Sequence, residues 1–279
     1  MLGAIIGDVA GSKYEVLEVD YMKKYKKPRP YEERIKILDK STPLFTEDCS
    51  VTDDSILTYS IYDAIKSGKY DYEMALRMYG MREAELGVDK YGRSRFGKGF
   101  LEWLYVNMRG GSWGNGAAMR VSPVGYMFNT LEEVEEHASR SAQPTHCNTE
   151  AIESAEAVAV SIFLLRSGYT KEQVIAYIKE HYYPLNYNLE DLQRNYTFSS
   201  RALCSVPQAL YIFGISNDFE DGIRKAISIG GDSDTIACIV GSLCEAYYGI
   251  SDELIEGVKP YLRDYMLDLL DRDYVRKLV

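Results

Sequence analysis

Gly230-Gly231-Asp232-Ser233-Asp234-Thr235 runs directly into Ile236, Ala237, Ile239 and Val240, with Leu243 and Cys244 beyond. After the acidic cluster, apolar residues fall almost all round a helix, so this helix is expected at the centre of the protein with no face left for solvent. The rest of the chain is helical in pattern nearly throughout. From Asp53 to Lys66, Ile56, Leu57, Ser60, Ile61, Ala64 and Ile65 recur at helical spacing, with Gly68 as the stop. Further helices are expected over 148–166, 171–181 (opened by a Thr170/Gln173 capping box), 219–229, after Ser251 and from about Tyr261. Gly3, Gly7 and Gly11 lay a stripe without side chains along a first helix over 2–12, fit for close approach by another helix. The stripe does not explain Asp8 beside it. No alternating strand pattern and no internal repeat occurs. The class that follows is all-α, as a single domain over 1–279.

A second acidic cluster, Thr52-Asp53-Asp54, also stands where an apolar-periodic helix begins. Either cluster alone suits N-capping and the helix dipole, and Gly230-Gly231 alone suits a left-handed helix end. Capping needs one carboxylate per helix, however, and each cluster has two. If the fold joins the two helix starts, four carboxylates and two hydroxyls face one volume. Like charges so close raise one another's pKa, and divalent cations are the usual remedy. An all-oxygen ligand set selects hard ions, Mg²⁺ or Mn²⁺ with Ca²⁺ possible, over zinc.

Composition narrows the function classes. The net charge of −10 argues against sequence-independent nucleic-acid binding, which needs a basic face. The run Lys23, Lys24, Lys26, Lys27 and Arg29 is expected to be a solvated loop. No apolar run approaches the length of a membrane span, and residues 1–12 carry Asp8 and lack a cationic start, unlike a signal peptide. The five cysteines show no metal-site spacing and are expected to be reduced, in a cytoplasmic protein that acts as a monomer. Irregular stretches are expected at Glu18 to Val51, Tyr91 to Phe100, Arg109 to Pro123 and Tyr182 to Ser200, and long loops of this kind are often functional covers.

Taken in order, Gly7-Asp8 with Gly11 and Glu15, Thr52-Asp53-Asp54, Gly114-Asn115-Gly116 with Met119-Arg120, Thr145-His146 and the 230–235 cluster resemble the ADP-ribosylglycohydrolases from residue 1 to about 250. The resemblance implies an all-α fold holding two Mg²⁺ or Mn²⁺ ions. It implies Thr52, Asp53, Asp54, Asp232, Asp234 and Thr235 as metal ligands, with Asp234 the candidate to bridge. Ser55 departs from the family's usual second threonine, a change that should not cost a ligand.

The chemistry so implied is hydrolysis of an N- or O-glycosidic bond at C1″ of an ADP-ribosylated protein or small molecule, releasing ADP-ribose through an oxocarbenium-like sugar. Glu15 is the candidate to protonate the leaving group, or to gate the site from a loop; a plain exposed loop glutamate is the alternative. Asp53 or Asp54 is the candidate to act on the water. The turn Gly110, Gly111, Ser112, Trp113, Gly114, Asn115, Gly116 offers N–H groups for a diphosphate, though a mere turn is the simpler reading. Trp113, or an aromatic from 91–100, is expected on adenine. His146 is expected either to touch the ligand or to be structural, and Arg120 to be a buried ion pair. Hydrolysis of a nucleoside-like metabolite and non-catalytic ADP-ribose binding are the competing functions.

Overall fold

The first helix does not stop near residue 12. In the computed structural model, which describes residues 1–88, 92–106 and 110–270, α1 runs Leu2–Tyr25 and ends at Lys26, left-handed with φ 58°. After it come α2 (Tyr31–Arg34), α3 (Asp53–Lys66), α4 (Tyr72–Glu85), α5 (Lys98–Tyr105), α6 (Gly116–Met119), α7 (Ser122–Met127) and α8 (Leu131–Ala142). The second half holds α9 (Thr149–Arg166), α10 (Lys171–His181), α11 (Leu189–Asn195), α12 (Val206–Gly214), α13 (Phe219–Ser228), α14 (Ser233–Tyr248) and α15 (Asp252–Val258). Among the described residues there is no sheet, only two isolated bridges, Gly111 with His146 and Gly114 with Arg201. The fold is all-α. Tyr91 and Arg109, where two of the expected irregular stretches begin, and everything after residue 270 lie outside the described residues.

The expected helices α3, α9, α10, α13, α14 and α15 are present within a residue or so, and Thr170 with Gln173 forms its capping box. Near the end, Asp264–Leu270 is a 3₁₀ segment instead of an α-helix. The stretch from Glu18 to Val51 is the main correction. Glu18 is fully buried and pairs with Arg34 on α2, whose guanidinium also donates to the carbonyls of Gln193 (3.2 Å) and Tyr196 (2.9 Å). A charged residue that looks like solvated loop is inside because a distant cation meets it.

α14 is central, as its all-round apolarity requires: Ile236, Ile239, Val240 and Leu243 are all buried. Each such side chain contributes about 1.5–3 kcal/mol, an upper estimate because unfolded chains already bury some surface. The glycine stripe of α1 lies against it. A Cβ on Gly7 would stand 1.9 Å from the Ala237 carbonyl oxygen, and one on Gly11 would stand 2.5 Å from that of Ser233. Backbone touches backbone along this line, which brings residue 8 of one helix beside residue 234 of the other.

Candidate functional site

The N-terminus of α3 is capped partly from another helix. Thr52 Oγ1 accepts the Asp54 N–H at 3.3 Å. Asp8 of α1, fully buried, accepts the N–H groups of Thr52 (3.0 Å) and Ser55 (3.2 Å), the Thr52 hydroxyl (2.7 Å) and the Ser55 hydroxyl. Asp53 and Asp54 are thereby released from capping. At α14 Asp232 makes no side-chain cap either. The residue at 55 matters here as the donor that holds Asp8, a role open to serine and threonine alike.

Released from capping, the acids converge. Carboxylate oxygens of Asp8, Asp54 and Asp234 lie within 4.8 Å of one another, and so do those of Glu15, Asp232 and Asp234. Asp234 belongs to both groups. The hydroxyls of Thr52 and Thr235 reach Asp54 Oδ2 at 3.2 and 3.3 Å. Burial first, and neighbouring carboxylates second, push Asp53, Asp54 and Asp234 well above the usual range; burial also raises Asp8 and Asp232. Asp54 Oδ1 is buried without a hydrogen-bond partner among the described residues. Orphaned oxygen, hydroxyls and crowded carboxylates fit hard divalent cations, whose charge would keep these acids ionised.

The cluster forms the floor of a cleft of about 1010 Å³, lined also by the glycine-rich turn, Phe96, Phe100, Trp103, Phe198 and His146. Glu15 lines it from the middle of α1, so it sits on a rigid helix and not on a gating loop. Lys23 and Lys26, at the end of α1, stand on the rim with Arg93, Arg95 and Lys98. They belong to the mouth of the site, not to a featureless solvated loop.

Residues 110–116 are pinned to their neighbours. The N–H groups of Gly110, Ser112 and Asn115 donate to the carbonyls of Pro144 (2.9 Å), Thr145 (3.1 Å) and Ser200 (2.8 Å), and that of Gly114 to Ser112 Oγ (3.0 Å). Gly111, Trp113 and Gly116 keep uncommitted N–H groups among the described residues. A Cβ on Gly110 would stand 2.3 Å from the Thr145 oxygen, so this turn requires glycine there. Asn115 lines the cleft but gives its Nδ2 to Asp232 (2.7 Å) and Ser205 Oγ (2.9 Å), holding an acid in place. Trp113 does not line the cleft. It is 55% exposed and faces Arg201, whose guanidinium lies 5.8 Å from the ring and pairs with Glu150. The bridge of Gly114 to Arg201 turns it that way, which leaves Phe96 and Phe100 as the aromatics that line the cleft among the described residues of the expected segment.

His146 is buried with Nδ1 2.7 Å from Thr145 Oγ1. Arg120 is fully buried and donates to Ser141 O (3.0 Å) and Thr145 Oγ1 (2.7 Å). Those partners are neutral, so the expected ion pair is not what holds it. Sequence reasoning missed Asp8 as a member of the carboxylate group; its place within the glycine stripe, facing a helix packed backbone to backbone, was the signal.

The family model described as ADP-ribosylglycohydrolase matches residues 1–278. An uncharacterised protein of Archaeoglobus fulgidus is 33% identical over 176 residues, 57% of this chain, and the match spans 57% of that protein's own length. ADP-ribosylhydrolase ARH3 of Bos taurus is 24% identical over 90% of this chain and 84% of that protein. ADP-ribosylarginine hydrolase Tri1 of Pseudomonas putida is 23% identical over 98% and 77%. A solved structure titled ADP-ribosylglycohydrolase-related protein complex superposes with a TM-score of 0.67 at 20% identity, covering 99% of this chain and 93% of that one, and so shares the fold.

Proposed function

The chain belongs to the ADP-ribosylglycohydrolase family, a family of enzymes, and from that premise we infer that it hydrolyses the 1″ N- or O-glycosidic bond of an ADP-ribosylated substrate and releases ADP-ribose. The observation that carries the reading is the convergence of Thr52, Asp53, Asp54, Asp232, Asp234 and Thr235 on the floor of one cleft, with Asp234 common to both carboxylate groups. Those six residues would hold two Mg²⁺ or Mn²⁺ ions. Bound there, such ions supply Lewis acidity toward sugar hydroxyls and water.

The chain's own groups divide the remaining work. The carboxylates surround the place where a cationic, oxocarbenium-like sugar carbon would develop, and negative charge there lowers its energy. Glu15, with a carboxylate oxygen within 4.8 Å of those of Asp232 and Asp234, stands where an acid could protonate the leaving atom. Gly111 and Gly116, which line the cleft, supply N–H groups for the diphosphate. Phe96 and Phe100, whose rings stack at 5.0 Å, offer the apolar wall for adenine.

The direct test incubates the chain and Mg²⁺ with arginine-linked and serine-linked ADP-ribosyl peptides, and with ADP-ribosyl small molecules beside them. Free ADP-ribose should appear, stop with EDTA and return with Mg²⁺ or Mn²⁺. No cleavage of any conjugate, together with no calorimetric binding of millimolar ADP-ribose, would refute the substrate while leaving the metal site standing.

A further inference from the structure

The proton positions around His146 follow from counting donors and acceptors. The Arg120 guanidinium only donates, and it gives an N–H to Thr145 Oγ1 at 2.7 Å. Thr145 Oγ1 and His146 Nδ1 are 2.7 Å apart, and on distance alone either can be the donor. The hydroxyl's other acceptor in reach is the Ala142 carbonyl, at 3.5 Å. That carbonyl already accepts the N–H groups of Thr145 (3.1 Å) and His146 (2.9 Å), which occupies both of its lone pairs. The hydroxyl proton therefore goes to Nδ1. A neutral imidazole that accepts at Nδ1 carries its own proton on Nε2.

Nε2 is the end of the ring that faces the glycine-rich turn. A Cβ on Gly114 or Gly116 would stand 3.7 or 3.4 Å from it, and the residue lines the cleft. Burial, followed by the charge of Arg120, holds the ring's pKa down at about 3, so protonation does not disturb the arrangement near neutrality. Arg120 itself has no carboxylate within ion-pair distance among the described residues, and its Nε and Nη1 lack partners. A buried cation so placed is a poor stabiliser of the fold. Its effect on the site is to occupy and polarise the threonine oxygen.

We propose that Arg120 and Thr145 are positioning residues that lock His146 in the Nε2–H tautomer, presenting a fixed, neutral N–H donor to a ligand oxygen held against the 110–116 turn. The role of that donor rests on the ADP-ribose reading above, whereas the tautomer does not. A neutral donor orients a ligand oxygen without adding a second cation beside Arg120.

The chain has three histidines, His137, His146 and His181, so ring nitrogen correlation spectra of ¹⁵N-histidine-labelled full-length protein, loaded with Mg²⁺, are simple to assign by comparison with His146→Gln. Wild type should show His146 protonated at Nε2 and hydrogen-bonded at an unprotonated Nδ1, unchanged across the neutral range. Thr145→Ser should keep that signature. Thr145→Val should move the Nδ1 signal toward an unbonded acceptor and weaken ADP-ribose binding by about tenfold, the loss expected for one hydrogen bond. Thr145→Ser should bind as wild type does. An Nδ1–H or cationic ring in wild type, or an unmoved Nδ1 signal in Thr145→Val, overturns the lock. A moved signal with unchanged ADP-ribose binding overturns the donor role. The expected tautomer in a wild type that binds no ADP-ribose supports the lock and refutes the substrate instead.

Discussion

At the scale of single residues, the site separates groups that touch a metal or sugar from groups that aim them. Asp8 accepts four hydrogen bonds from Thr52 and Ser55 and so fixes the start of α3 while its oxygens stay among the other acids. Replacing it with Asn should therefore weaken metal affinity by about 10–100-fold, the usual range for outer-sphere partners. The fold should lose only about 1–2 kcal/mol, on the scale of a capping defect. Metal content by mass spectrometry and the thermal midpoint would check both. Near-normal metal content in Asp8→Asn would mean that the capping role is its whole role. Glu15→Gln makes the complementary case. It should keep ADP-ribose binding and lower turnover by about 10²–10⁴-fold, as expected for a lost general acid. A parallel loss of binding would assign Glu15 to the metals instead. These residues were unequally legible in sequence. The doubled acids at 52–54 and 232–234 are excess to capping, and that surplus shows in the sequence. Asp8 is a single acid in an apolar helix, and Trp113 points away from the cleft because of a bridge to Arg201 that local pattern does not encode.

At the scale of elements, the contact of α1 with α14 is what brings Asp8 and Glu15 to Asp234. Its tolerance is set by Gly3, Gly7 and Gly11. In Gly7→Ala the new methyl would stand 1.9 Å from a backbone oxygen, so the helices must separate. We expect a loss of about 3 kcal/mol or more, the upper end of overpacking costs, with metal affinity falling in step because the ligands sit on the two separated helices. Gly99→Ala on α5 is the contrast. Nothing lies within 4 Å of its Cβ, so helix propensity should stabilise it by up to about 1 kcal/mol. Denaturant midpoints of the two variants test the pair. A Gly7→Ala protein as stable as wild type would show that the backbone contact can relax, which its lack of intervening side chains argues against. Helices with a clear stripe or a cap, such as α3, α10 and α13, were readable. α4 was not, because Met74, Met78 and Met81 are exposed among Glu73, Arg82 and Glu85, opposite the buried Ala75, Leu76 and Tyr79, which blurs the contrast that sets the phase. The second half of α1 was hidden for the opposite reason, since Glu18 needs Arg34 to be inside.

At the scale of the whole molecule, folding and metal binding act on the same acids, and this gives a pH dependence of definite sign. Asp54 and Asp234 are held well above their ordinary value of 3.8, first by burial and then by neighbouring carboxylates: Asp8, Asp53 and Asp232 beside Asp54, and Glu15, Asp54, Asp232 and Asp8 beside Asp234. Without metal these groups therefore bind more protons in the native state than in the unfolded chain at pH values between that ordinary value and the raised ones. Stability changes with pH in proportion to protons bound unfolded minus protons bound native, so it must fall as pH rises from about 4 through the raised values. The thermal midpoint in EDTA should drop as pH rises above about 4. Divalent ions reverse the trend, because they bind the ionised ligands and so bind more tightly as pH rises. At a Mg²⁺ concentration about 100 times its dissociation constant, the native state gains about 2.7 kcal/mol for each ion. The midpoint with Mg²⁺ should then lie above the EDTA curve, with the gap widest at the alkaline end. Glu156 contributes a slope of the same sign, being raised to about 7 by burial and by Glu135 and Glu153, but metal should leave its part untouched. The diagnostic quantity is thus the Mg²⁺-minus-EDTA difference and not either curve alone. A gap that stays constant or closes with rising pH would mean that the buried acids of α3 and α14 are not the groups that take the ion.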